Sequence, residues 1–336
     1  MEQKYVADYI GEDYKEWSNE LVLISAGTGR GKTTFIVDVL LTYAASNNKR
    51  LLYLCNRSEL KAQVTERIPA ELKPFIKITT YQAFEGQMQA TGRFGHYDYI
   101  VGDEAHYFFD DSFNQQTDIS GKYLVNTAVK DSVVILMSAT GSLIFPTLIR
   151  AGYVKRKDRY YTIPGNYAFV DKVFLYQKKY VDNIISKIIS ETDDKILFFC
   201  NDLTRLGKMY KTYGEQAYYR CSKSRRKSSV IPSNILKTGD SCIRKVDDRI
   251  ITFDKRILFT TTVLDNGVDI KDPSLKHIFS EVFDFNALIQ SLGRKRSLSE
   301  NDRCCFYIMH HDEKEVESLK RRLDKQLSVI DSYNGN

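Results

Sequence analysis

The sequence predicts an α/β protein of two tandem units, each a mainly parallel sheet flanked by helices. Three observations predict it. Short apolar runs alternate with helical stretches, the alternation is interrupted once and then resumes, and the first run leads into a glycine-rich turn. Short buried strands joined by crossover helices make a parallel sheet covered on both faces. At 336 residues the chain exceeds one ordinary core, and two domains of roughly 150 residues each are expected.

The first strand is Leu21-Val22-Leu23-Ile24-Ser25, an apolar run of buried type. It is followed by Ala26-Gly27-Thr28-Gly29-Arg30-Gly31-Lys32-Thr33, and then by a helix over about Lys32–Ala45. Such a turn lets several backbone N–H groups point at the β- and γ-phosphates of a nucleoside triphosphate. Lys32 adds a point charge and Thr33 a hydroxyl ligand for Mg²⁺. The positive end of the helix faces the same anion. Gly27, Thr28, Gly29, Arg30, Gly31, Lys32, Thr33 and Thr34 are therefore the candidate nucleotide-binding residues, with ATP and Mg²⁺ as the expected cofactors. The general pattern places glycine where this chain has Ala26.

The alternation continues with strand Leu51–Cys55 and helix Ser58–Arg67, strand Ile76–Thr79 and a helix from Tyr81, then strands Tyr99–Asp103 and Val133–Ser138. Between Ser142 and Asp171, Pro146, Pro164, several glycines and Lys155-Arg156-Lys157 break the pattern, and the units are placed at 1–155 and 156–336. The second series has strands near Ile196–Cys200, Ile257–Thr261, His277–Ser280 and Cys304–Met309, and Asp312–Leu327 reads as a charged amphipathic helix.

Asp103-Glu104-Ala105-His106 ends the Tyr99 strand. Open α/β sheets place ligand-binding groups at the carboxyl ends of strands. Asp103 can hold Mg²⁺ there, and Glu104 can orient or deprotonate the attacking water. His106 is either a link to Ser138-Ala139-Thr140 or a polar strand-end residue.

Residues 26–33 together with Asp103-Glu104-Ala105-His106 resemble motifs I and II of superfamily 2 helicases of the DEAH type, where alanine at the position of Ala26 is normal. The other motifs follow in the family's order. Asn56-Arg57-Ser58-Glu59-Leu60-Lys61-Ala62-Gln63 resembles motif Ia, Thr79-Thr80-Tyr81-Gln82 a further nucleic-acid-contacting motif, and Ser138-Ala139-Thr140 motif III. Ile196–Asn201 resembles motif IV, Thr261 through Gly267-Val268-Asp269-Ile270 motif V, and Gln290-Ser291-Leu292-Gly293-Arg294-Lys295-Arg296 motif VI. The likeness spans about residues 21 to 300.

The resemblance implies two RecA-like P-loop lobes and ATP hydrolysis in a cleft between them, coupled to helicase or translocase activity on nucleic acid. It implies Lys32, Asp103, Glu104, Arg294 and Arg296 as the catalytic set, with one arginine stabilising charge on the γ-phosphate. The family spaces its two arginines three apart and this chain two apart. Gly267 and Asp269 join the nucleotide-binding set, and Arg57, Thr80, Gln82 and Thr261 are candidate nucleic-acid contacts. Such contacts grip phosphates and are largely independent of sequence. Ser58 and Thr80 fit helix capping equally well, and Lys223-Ser224-Arg225-Arg226-Lys227 is either a backbone grip or a solvated loop.

No glutamine occurs between Gln3 and the loop, so the adenine-reading glutamine of DEAD-box RNA helicases has no counterpart. That absence and the Asn56-Arg57 form of motif Ia favour DNA over RNA. Tyr14 and Trp17 could stack on a base, but packing against the first sheet is the favoured role. The alternative to a motor is an ATP-controlled nucleic-acid clamp, or an RNA helicase without processive unwinding. A P-loop kinase would leave the second-half motifs unused.

Composition agrees with these expectations. Hydrophobic and charged fractions of 43% and 27% are those of a soluble globular protein, and no apolar run approaches the roughly 20 residues that span a bilayer. The polar, acidic opening residues are not a secretory signal. Six cysteines without Cys-x-x-Cys spacing read as reduced thiols, and a cytoplasmic monomer without membrane association is expected. The net charge of +6 lies wholly in residues 161–336, since residues 1–160 balance, which suggests a polyanionic partner.

Overall fold

Each apolar run of the first half becomes a strand, buried along its length except for the partly exposed edge strand Ile76–Thr80, and the helices between them cover both faces of the sheet. The structure, a computed structural model, describes residues 4–56, 58–92, 94–110, 120–222, 230–241, 244–247, 250–265, 269–318, 320–321 and 324. It divides into two compact units, Met1–Tyr167 and Ala168–Asn336.

In the first unit the strands are β1 (Leu21–Ala26), β2 (Leu51–Cys55), β3 (Ile76–Thr80), β4 (Tyr99–Gly102), β5 (Val133–Ser138) and β6 (Tyr160–Ile163). They form one six-stranded sheet in the order β3-β2-β4-β5-β1-β6, with every neighbouring pair parallel. Strand alternation sends Val22, Ile24, Tyr53, Tyr99, Val101, Ile135 and Met137 to one face, under Phe35, Ile36, Leu40 and Leu41. Leu21, Leu23, Leu52, Leu54, Ile100, Val134 and Leu136 face the other way, under Tyr81, Phe84 and Phe145. Tyr14 and Trp17 are buried against Phe35 at ring separations of 6.0 and 6.1 Å, so both are core residues and not base-stacking platforms.

The segment expected as one helix over Lys32–Ala45 is continuous but changes pitch, with α-helix over Lys32–Thr34, π-helix over Phe35–Leu40 and α-helix over Leu41–Ser46. The boundary at 155 requires correction. β6 lies beyond that point and pairs with β1 from Leu23↔Tyr160 to Ala26↔Ile163, so the first unit runs on to Tyr167.

The second unit contains β7 (Val170–Gln177), β8 (Lys195–Phe199), β9 (Ala217–Arg220), β10 (Arg244–Asp247), β11 (Ile250–Thr252), β12 (Ile257–Thr260), β13 (Asp269–Ile270), β14 (Leu275–Ser280) and β15 (Cys304–His310). β7-β15-β14-β8-β12-β9 form a second six-stranded parallel sheet, and β10-β11-β13 a small one in which β10 and β11 are antiparallel. Its core packs Phe198, Phe259, Phe279 and Tyr219 against the helices Val181–Glu191 and Leu203–Tyr213. Fold class is thus α/β with two mainly parallel sheets, each flanked by helices.

Among the described residues no disulfide joins Cys55, Cys200, Cys221, Cys304 and Cys305. Among the described residues no helix is long and apolar enough to cross a membrane. Arg57, Gly267 and the basic run 223–227 lie outside the described residues, as does part of the expected helix Asp312–Leu327.

Candidate functional site

β1, lying between β5 and the edge strand β6, runs out at Ala26, and the chain turns back into the helix through two glycines in left-handed backbone, Gly29 (φ 73°) and Gly31 (φ 80°). A side chain at either would be strained, so the turn needs these glycines. Helical hydrogen bonding starts at once, with Phe35 N–H donating to Gly31 O at 2.8 Å. The loop is braced from two directions. Gly27 N–H donates to Ile163 O, and Arg30 Nε donates to Pro164 O at 2.8 Å; on the other side Val6 N–H donates to Arg30 O at 2.9 Å. The Arg30 side chain is therefore engaged in holding the loop's frame.

Lys32 Nζ folds over the loop and donates to Ala26 O at 2.7 Å and to Gly27 O at 3.4 Å. Thr33 is half-buried one residue further along. Thr34 is exposed and accepts from Arg67 at 3.3 Å, so its side chain faces away from the loop's concave side.

Asp103 follows the last residue of β4 and is 4% exposed. Both carboxylate oxygens accept hydrogen bonds, Oδ2 from the Tyr53 hydroxyl at 2.5 Å and Oδ1 from Glu104 N–H at 2.9 Å. The Thr33 side chain lies near the same phenol. One buried phenol thus bonds one of the two residues expected to hold Mg²⁺ and lies close to the other. Burial, and next the neighbouring Glu104 charge, push the Asp103 carboxyl up to about 6 against the opposing pull of Lys32 and the Tyr53 bond. Burial drives the Tyr53 phenol well above its ordinary value, so it is a neutral donor.

Glu104 itself has φ 52°, an uncommon conformation for a residue with a side chain. The turn that imposes it is held by Tyr81, whose hydroxyl donates to Asp103 O at 2.8 Å and whose ring stacks on Tyr107 at 4.8 Å. Gly102 makes room for this: a Cβ there would come within 2.9 Å of both the Tyr81 hydroxyl and Leu136. His106 Nδ1 lies 3.3 Å from Glu104 Oε2 and 3.3 Å from Ser138 Oγ, which in turn lies 3.3 Å from Thr140 Oγ1. Of its two readings, the link to Ser138-Ala139-Thr140 is the one this geometry provides.

The structure therefore brings Gly27–Thr33, Asp103, Glu104 and His106 to the carboxyl end of one sheet. Among the other sequence-derived candidates, Thr80 caps the helix Tyr81–Thr91 by accepting from Ala83 N–H, and Gln82 is exposed near Asn56. Thr261, just after β12, is buried.

In the second unit Asp284 caps the helix Phe285–Leu292, and Arg294–Arg296 then run beside β13. Ile270 N–H donates to Arg294 O at 2.7 Å, and Arg296 N–H donates to Ile270 O at 3.0 Å. Arg294 is 5% exposed and Lys295 fully buried, whereas Arg296 pairs with Asp269 at 2.9 Å. The segments carrying Asp269 and the two arginines are thus one local structure.

Neither Tyr53 nor Tyr81 stands out as a site residue in the sequence. Tyrosine inside Leu51–Cys55 looks like core filling, and only its hydroxyl, in an otherwise apolar strand, hints at a partner. No protein-family model matches the chain, and no curated protein matches it.

Proposed function

We propose that the chain is an ATP- and Mg²⁺-dependent nucleic-acid helicase or translocase of two RecA-like P-loop lobes, acting on DNA in preference to RNA. The observation that supports it best is the convergence at one sheet end of a left-handed glycine loop, Lys32, Thr33, a buried Asp103 and the adjoining Glu104. Backbone N–H groups of Thr28, Gly29, Gly31 and Lys32 would receive the phosphates once Lys32 exchanges its carbonyl partners for phosphate oxygens, the Gly27 and Arg30 N–H groups being held within the loop's frame. The hydroxyl of Thr33 and the carboxylate of Asp103 are hard oxygen donors suited to Mg²⁺. Thr33 and Asp103 would hold the ion where its positive charge could offset the negative charge of the phosphates. Glu104 would orient and deprotonate water, and His106 with Ser138 and Thr140 would carry the state of that site to the segment after β5. Arg294 and Arg296 would supply the transition-state cation. The basic excess of the second half, Arg57 and the exposed Gln82 would serve nucleic-acid phosphates.

The test is the steady-state ATPase rate without nucleic acid and with single-stranded DNA, duplex DNA or RNA, beside strand displacement from a partial duplex. Hydrolysis stimulated most by DNA is expected, lost in Lys32→Ala and reduced at least tenfold in Arg294→Ala or Arg296→Ala. Displacement that proceeds equally with a non-hydrolysable analogue overturns the motor, and wild-type turnover in Lys32→Ala overturns the site.

A further inference from the structure

We propose that Tyr53 is a positioning residue for the divalent cation that accompanies the nucleotide, its hydroxyl fixing the Asp103 carboxylate beside Thr33. The inference rests on the reading of the glycine loop as a nucleotide site.

Strand register carries Tyr53 to this place. β2 lies beside β4 with Tyr53 opposite Val101, and Val101 and Asp103 share a face by alternation, so Tyr53 projects from the same side as the carboxylate. The helix that starts at Lys32 covers that side and brings Thr33 over the phenol. The ring lies in an apolar layer with no exposure, and its one polar atom meets Asp103 Oδ2 at 2.5 Å.

A core-filling role would be served by phenylalanine. The tyrosine instead places a donor where a carboxylate must be held. Asp103 has one oxygen fixed by Glu104 N–H and the other by Tyr53, so the plane of the carboxylate is determined before any ligand arrives. Without the phenol hydroxyl, Oδ2 loses the bond from Tyr53 and the carboxylate can rotate about its Cβ–Cγ bond. Removing a hydrogen bond behind a metal-binding carboxylate characteristically weakens the metal about 10- to 100-fold.

The experiment compares wild type and Tyr53→Phe in the full chain. Free Mn²⁺ is followed by electron paramagnetic resonance during titration in the presence of a non-hydrolysable ATP analogue. Metal-free binding of the analogue and the thermal melt are measured on the same preparations. Expected is a rise of about tenfold or more in half-saturating Mn²⁺ for Tyr53→Phe, with metal-free affinity for the analogue within about twofold of wild type. High Mg²⁺ should then restore ATP turnover in the variant. Unchanged Mn²⁺ affinity overturns the role of Tyr53 while leaving the nucleotide site standing. Loss of the fold in Tyr53→Phe makes the hydroxyl structural and also overturns it. Failure of the wild type to bind the analogue removes the nucleotide site itself, and the proposal with it.

Discussion

Gly27 is where the glycine-rich loop meets the strand exit beyond β6 most closely. A Cβ at this position would lie 2.4 Å from the Cα of Gly165 and 2.9 Å from its nitrogen, so backbone would have to shift on one side or the other. The same contact brings Ile163 O and Pro164 O within reach of Gly27 N–H and Arg30 Nε, which makes the loop's shape dependent on it. Gly27→Ala is expected to weaken nucleotide binding at least tenfold and to lower the melting temperature, read by fluorescent-nucleotide titration and by calorimetry. Gly86 is the opposite case. It is exposed within the helix Tyr81–Thr91, and a Cβ there meets nothing within 4 Å. Gly86→Ala should therefore stabilise the chain by about 0.5–1 kcal/mol through the lower entropy of its unfolded state. Equal behaviour of the two variants in urea unfolding would show that the approach of Gly165 does not constrain the loop.

At the scale of the element, the helix Tyr81–Thr91 separates two roles that its sequence leaves merged. Thr80 has extended backbone and its hydroxyl accepts from Ala83 N–H at 3.2 Å, while Gly92 closes the far end in left-handed backbone with its N–H on Met88 O. Thr80→Ala should cost about 1 kcal/mol in urea unfolding and Thr80→Ser should recover it; no loss in the alanine variant would remove the cap. Gln82, exposed and only 3.5 Å from Asn56 O, makes a contact too long to be strong. Gln82→Ala should leave stability within about 0.5 kcal/mol of wild type and weaken binding to single-stranded nucleic acid, measured by fluorescence anisotropy. The same contrast explains what could be read in advance. β1 and β5 are apolar but for one serine each, Ser25 and Ser138, and buried along their whole length, and such strands announce themselves. β7 does not, because it is an edge strand with Val173, Phe174 and Leu175 exposed and charged residues between its apolar ones. β6 is short and follows the charged stretch Lys155–Arg159, so the sequence pattern places the end of the first unit before it. In the site, glycines and carboxylates declare their chemistry by type and spacing, whereas the hydroxyl of Tyr53 acquires a role only when β2 is set beside β4.

Across the whole molecule, each unit has its own core, and the two differ in what secures them against acid. The first relies on its two apolar layers, with a buried pair between Arg159 and Glu20 at 2.9 Å. The second carries a chain of buried charges. Lys295, fully buried, donates to Asp302 at 2.8 Å, Lys276 reaches the same carboxylate at 3.3 Å, and Lys195 pairs with Asp272 at 2.7 Å. Burial alone would raise both carboxyls. Hydrogen bonds from Lys295 and Leu298 N–H to Asp302, and from Lys195 and Thr252 to Asp272, outweigh it and hold both below the usual 3.8. A carboxyl depressed in the folded state contributes stability that is present above the unfolded value and is lost as the pH falls through the folded one. The second unit should accordingly weaken as the pH drops below about 4, and Asp302→Ala, which strips Lys295 of its carboxylate, should cost about 3–5 kcal/mol at neutral pH and flatten that acid dependence. Trp17, the single tryptophan, is buried in the first unit, so its fluorescence and the far-UV circular dichroism report different parts of the chain. In Asp302→Ala the dichroism change in urea should move to lower denaturant while the Trp17 midpoint stays in place; a Trp17 midpoint that moves by the same amount would show that the stability of the first unit depends on this charge cluster in the second.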